Sequence, residues 1–128
     1  MTTGLSAANL ANRWLNMLAG TAFTAPAGFF VKLHTGDPGA AGANNASAVT
    51  TRKAVTWSAA SGGSISQASA PGSWAMTATE TITHVSFWDA VTAGNFLDSA
   101  GLNTPRSVNN GDSLTQNTLT ITLVPVAA

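Results

Sequence analysis

The side chains of this sequence that can move a proton near neutral pH are His34 and His84; it has no cysteine and no tyrosine. His84 lies within the apolar-rich run Thr81 to Asp89, between Thr83 and Val85, the setting of a packed or interface histidine. His34 closes an extended run just before Gly36-Asp37-Pro38-Gly39. A local bond to Asp37 is open to it, although a turn aspartate ordinarily caps its own backbone. A small hydrolase using either histidine is the catalytic candidate. Serines are too abundant to single out a nucleophile, and no Gly-x-Ser-x-Gly elbow is present. The acids Asp37, Glu80, Asp89, Asp98 and Asp112 are scattered singly, without an Asp-x-Asp loop or a His-x-x-x-His pair. Ser61-Gly62-Gly63-Ser64 lacks the lysine and helix of a phosphate loop, and Asn45-Ala46-Ser47 is a glycosylation sequon of the kind expected by chance. The expectation is a protein that is not an enzyme and has no catalytic residue, metal or cofactor.

The four tryptophans carry the remaining recognition chemistry. Trp57 and Trp88 fall inside extended runs and are expected in the core. Trp74 follows the Pro71-Gly72 turn and is expected to be more exposed. It could stack on a host-surface glycan or anchor a protein interface. The small-residue stretch 39–48 is a second place for glycan contact, because a loop of that length is functional or mobile more often than not.

One helix and a series of strands must position these groups. Over residues 5–20, Ser6 is placed as the N-cap and Gly20 as the left-handed residue ending the helix. Leu10, Trp14, Met17 and Leu18 share one face by i, i+4, i+7, i+8 spacing. That face, with Trp74, is the possible interface, and it can pack on its own domain or on a neighbour. After Pro26 the periodicity changes to two. Extended runs are read at Phe29–His34, Arg52–Ser58, Ser64–Ala68, Ser73–Met76, Thr81–Asp89, Asn95–Leu102 and Leu114–Val124, separated by Gly, Pro and Asn turns. In the Thr81 run, Ile82, His84, Ser86 and Trp88 alternate against Thr83, Val85 and Phe87, so both faces carry bulk and the strand should be central. Asn95–Leu102 should return as its hairpin partner until Pro105 interrupts, and Pro125 should stop the last strand. The reading is an all-β antiparallel sandwich, jelly-roll-like or Ig-like, with one N-terminal helix. It forms a single domain over 1–128, with the helix at 5–20 and the sandwich at 28–125.

The chain has 128 residues, of which 8% are charged, and its net charge is zero. Such a balance gives no steering toward nucleic acid or an anionic membrane. It also gives little colloidal protection, so a surface of Ala, Ser, Thr, Asn and Gly suits permanent contact with other subunits. No apolar run approaches the ~18 residues of a membrane span, and no basic n-region marks a signal peptide. Synthesis and assembly in a host cytoplasm are expected.

Several stretches resemble, in order, a family of small bacteriophage virion proteins of tail-fibre, minor-tail or head-decoration type. They are Gly20-Thr21-Ala22-Phe23 with Ala25-Pro26, Phe30 to His34 running into Gly36-Asp37-Pro38-Gly39, Arg52 to Trp57, Ala59 to Gly63, Ile82 to Ala90, Thr104-Pro105, and Asn110-Gly111-Asp112 before the last strand. The resemblance implies a β-sandwich that belongs to a virion and carries no catalytic residue. It implies contacts with itself, as a homotrimer, and with other virion proteins. A tail-associated position is favoured, with capsid decoration as the alternative. A host-glycan-binding module is the alternative of another class.

Overall fold

The computed structural model describes residues 3–124; Pro125 and both ends of the expected 1–128 domain lie outside the described residues. The helix begins as expected. Ser6 Oγ accepts from the Asn9 amide at 3.2 Å, as an N-cap should. It starts, however, with a π turn over Ala7–Ala11, in which the Ala11 amide reaches back to the Ser6 carbonyl at 3.0 Å. An α-helix, α1, follows over Asn12–Leu18. Gly20, at φ +89°, donates to the Met17 carbonyl and Thr21 to the Asn16 carbonyl, the paired bonds of a Schellman end. The helical span is thus 7–18, shorter than 5–20 because its flanking residues are the cap and the end motif.

Nine strands follow among the described residues. They are β1 (Phe30–His34), β2 (Lys53–Ala54), β3 (Thr56–Trp57), β4 (Ser64–Ser69), β5 (Trp74–Ala75), β6 (Glu80–Trp88), β7 (Phe96–Val108), β8 (Ser113–Leu114) and β9 (Thr120–Thr122). They form a four-stranded sheet in the order β2-β1-β6-β7, a three-stranded sheet β3-β4-β9 and a ribbon β5-β8. All pairings are antiparallel. The expected antiparallel sandwich with one N-terminal helix is the architecture found. The core lies among Val31, Leu33, Val55, Trp74, Met76, Ile82, Val85, Phe87 and Val108.

Three runs differ from their sequence reading. Arg52–Ser58 is divided at Val55: β2 pairs with β1, β3 pairs with β4, and the chain passes from one sheet to the other between them. Val55 itself is buried, its amide bonded to the Phe29 carbonyl at 2.8 Å. Leu114–Val124 is likewise divided into β8 and β9, serving the ribbon and the small sheet. Strand β7 runs on through Pro105 to Val108, longer than expected. It is an edge strand, and its register jumps from His84↔Gly101 to Ile82↔Arg106, so residues 102–105 bulge out opposite Thr83. Proline is tolerated in such a bulge, where no ladder donor is needed.

The same bulge corrects the faces of β6, which is central as expected. Ile82 lies in the core with Val85 and Phe87 instead of opposite them, because the irregularity between Ile82 and His84 shifts the alternation by one. Residues 39–48 are also more ordered than a mobile loop. The Thr35 amide bonds to the Asn45 carbonyl, Asn44 to the Pro38 carbonyl and Ser47 to the Leu33 carbonyl, so the loop lies back along β1. Its small residues have a role. Gly42 is buried at φ +68° beneath the Phe96 ring, which a Cβ there would overlap.

Gly42→Ala is expected to lower stability by about 2–3 kcal/mol in urea denaturation, through overlap and backbone strain together. Adding Phe96→Leu should recover part of that loss. Simple additivity of the two changes would show that the ring contact is not the cause.

Candidate functional site

The N-terminal segment is tied to the edge strand β7. The Ser6 amide donates to the Leu97 carbonyl at 2.7 Å, the Asn9 side chain to the Phe96 carbonyl at 2.8 Å, and Gly4 and Ser99 bond to each other. This covers part of an otherwise open sheet edge. Leu10 is buried and Trp14 half-buried against their own domain. Met17 and Leu18, at 50% and 79% exposure, project into solvent, joined by Leu15 at 62%. The four-residue face read from spacing is therefore split, its first half lying against the domain and its second half projecting into solvent.

Beside the helix is a cleft of about 390 Å³ between the two sheets. Leu10, Trp14, Phe23, Phe29, Trp57 and Ile121 form much of its wall. Among the described residues, Asp98 is the one ionisable group in that lining. It pairs across the strands with Phe87, so its side chain shares the core-facing side of the sheet. The Ser99 amide donates to its Oδ1 at 2.7 Å. Burial raises the Asp98 carboxyl from 3.8 to about 6, against the smaller opposite pull of that amide. The sequence had shown Asp98 only as one scattered acid. The signal available was a carboxylate directly after Phe96-Leu97 in an extended run.

Trp74 is not at the surface. It is 1% exposed, and its indole N–H donates to the Thr51 carbonyl at 2.8 Å. The expected sugar-stacking platform is thus a core residue, because β5 pairs with β8 and turns the ring inward. A second cleft, of about 340 Å³, lies nearby between the β7 bulge and residues 114–118, rimmed by Asn103, Thr104, Arg106 and Gln116. Trp57 and Trp88 are half-buried rather than fully enclosed. Trp57 meets Phe29 edge-on, and Trp88 carries the Arg52 guanidinium 3.9 Å over its ring.

Both histidines are structurally engaged. Trp88 Nε1–H donates to Ser86 Oγ at 2.8 Å, Ser86 O–H donates to His34 Nε2 at 2.7 Å, and His34 Nδ1–H donates to the Asn44 carbonyl at 2.7 Å. An indole N–H can only donate and a carbonyl only accept, which sets the direction of the chain and the tautomer. His34 is fully buried, and it fastens the 39–48 loop to the sheet instead of facing a substrate. His84 Nδ1 meets Thr83 Oγ1 at 2.7 Å. Asp37 caps the Gly39 amide at 2.8 Å, as a turn aspartate should. Among the described residues, no group of three His, Asp or Glu side chains could hold a metal ion.

Two opposed pH effects follow. Burial lowers the His34 pKa below its ordinary 6.5, with the nearby charges of Lys32 and His84 adding to this and the bond to Asn44 countering it. The unfolded chain then binds more protons, so the His34 contribution is complete above pH 6.5 and is lost as pH falls below that value. Asp98 acts the other way. Its raised pKa makes the fold bind more protons between about 4 and 6, so it lowers stability as pH rises through that window. Asp98→Asn is expected to raise the urea midpoint at pH 7.5 and to change it little at pH 4. In that background stability should fall between pH 7 and pH 5, and His34→Gln should flatten the fall. A flat profile with His34 intact would contradict the assignment.

No curated protein matches the chain. A family model described as "Podophage GP4 fiber I protein gp80" matches residues 5–124, a span that includes the helix, both sheets and the ribbon. With nearly its whole length matched, the chain belongs to that family, a phage tail-fibre-type family of virion structural proteins.

Proposed function

We propose that this protein is a tail-associated, non-catalytic component of the phage particle. It assembles by packing against copies of itself in threefold arrangement and against neighbouring virion proteins. The observation that carries the self-association is the uncovered apolar end of α1. Leu15, Met17 and Leu18 are all at least half exposed on a helix of seven residues. A short helix gains little from its own hydrogen bonds and is stabilised mainly by what covers its apolar face. Exposed apolar clusters rimmed by polar residues mark protein contacts. Here Arg13 and Asn16 supply that rim.

The absence of catalysis in this reading is supported by the use of both histidines in structural hydrogen bonds. Glycan stacking on Trp74 has no part in it, since that ring lies in the core. The family match supports the tail over the capsid surface.

Quantitative mass spectrometry of gradient-purified virions should find a handful of copies per particle, and labelled protein should map to the tail by electron microscopy. Hundreds of copies on the head lattice would instead support decoration. In solution, light scattering should give a trimer mass for the wild type. Met17→Asp with Leu18→Asp should reduce it to the monomer mass while leaving the thermal midpoint within a few degrees, because both residues are exposed. A wild type that is monomeric at every concentration would overturn the proposed self-assembly.

A further inference from the structure

The cleft beside α1 combines two features that do not belong together in a finished interior. Its walls are apolar and largely aromatic, yet Asp98 opens into it. A carboxylate brought out of water is costly unless a cation or several hydrogen bonds compensate it. Here the compensation is partial. Ser99 supplies one amide, and no basic side chain of the described residues offsets the burial of the charge. Two cations of this chain are occupied elsewhere. Arg13 donates to the Thr24 carbonyl at 2.8 Å and lies over the Phe23 ring, while Arg52 donates to the Ala90 and Ala93 carbonyls and lies over Trp88.

We infer that this cleft is a socket for one lysine or arginine side chain of a different protein, with Asp98 as its counter-ion. The match is one of shape and charge. Lysine and arginine carry a long aliphatic stem ending in a cation, and such stems pack along apolar surface while the head seeks an anion. Trp14, Phe23, Phe29 and Trp57 line a channel for the stem. The volume of about 390 Å³ lies at the small end of binding sites, suited to one side chain and its immediate backbone. A neutral apolar side chain would leave Asp98 uncompensated, and an anion would be repelled. A foreign protein is favoured over a second copy because, of the five basic residues of this chain, Arg13 and Arg52 are already bound and Lys32 and Lys53 are half-buried in β1 and β2, which leaves a copy Arg106 alone as an exposed basic side chain to offer. The socket chemistry holds wherever in the particle the protein sits, so it stands or falls separately from the tail assignment.

The test is a titration of the full chain at pH 7.5, followed by NMR at the Trp14 and Trp57 indoles and at the Asp98 carboxyl. The probes are pentylammonium, pentanol and Nα-acetyl-lysine methylamide. Pentylammonium should bind about tenfold more tightly than pentanol, and Asp98→Asn should bring the two within about twofold. The lysine derivative should perturb the same indoles. Equal binding of amine and alcohol by the wild type would overturn the inference. So would a socket that accepts the free amine and refuses the peptide-borne one. If Asp98→Asn alone dissociated a homo-oligomer, the occupant would be a second copy, and the assignment to a different protein would fail. Because Asp98→Asn is expected to be more stable than the wild type at this pH, loss of binding would not reflect unfolding.

Discussion

The covering of β6 on both faces is the constraint on which the rest of the structure depends. The strand is flanked by β1 on one side and β7 on the other, so its backbone is paired along both edges. One face sends Ile82, Val85 and Phe87 into the core between the sheets. The other presents Ser86 to His34 and Trp88, and the 39–48 loop closes over that face through Asn44. A single irregularity opposite the β7 bulge lets Ile82 join the core without turning Ser86 toward it. Without that shift, either a bulky isoleucine or a polar serine would sit on the wrong side of the sheet.

Low charge shapes how the remaining polar groups are satisfied. The outer faces pair hydroxyls across strands: Ser64 with Thr122, Ser66 with Thr120, Thr56 with Ser69, and Thr81 with Ser107. Such cross-strand pairs hold register without ionic contacts that salt would screen. Charged groups are used sparingly, as fasteners. Glu80 accepts from the Ser47 hydroxyl and the Ala48 amide, and so secures the end of the long loop. Asp89 accepts from both the amide and the side chain of Asn95 across the β6–β7 connection. Asp98 is different, a carboxylate with one amide donor and an aromatic cleft before it. Under the socket assignment, this half-buried charge with a single amide donor sets specificity at one point, where a wrong partner is rejected by the cost of that charge.

The sequence by itself determined the kinds of element and the punctuation between them. Ser6 and Gly20 read as helix ends because side-chain capping and a left-handed backbone are local requirements. The Gly36-Asp37-Pro38-Gly39 turn and the extended run Thr81–Asp89 were legible for the same reason, whereas the face of Ile82 within that run was not. Trp74, the bulge at residues 102–105 and the division of Arg52–Ser58 between two sheets were not. Each is decided by which strand lies alongside, and strand partners are set by packing between residues far apart in the chain. The surface at the helix followed the same rule. Spacing grouped Leu10, Trp14, Met17 and Leu18 on one stripe, and only the tie of the N-terminal segment to β7 covered the first pair while the second was left exposed. Asp98 could be counted in the sequence, but that it faces an aromatic cleft without a cation depends on how the helix and both sheets meet, and no local pattern encodes that.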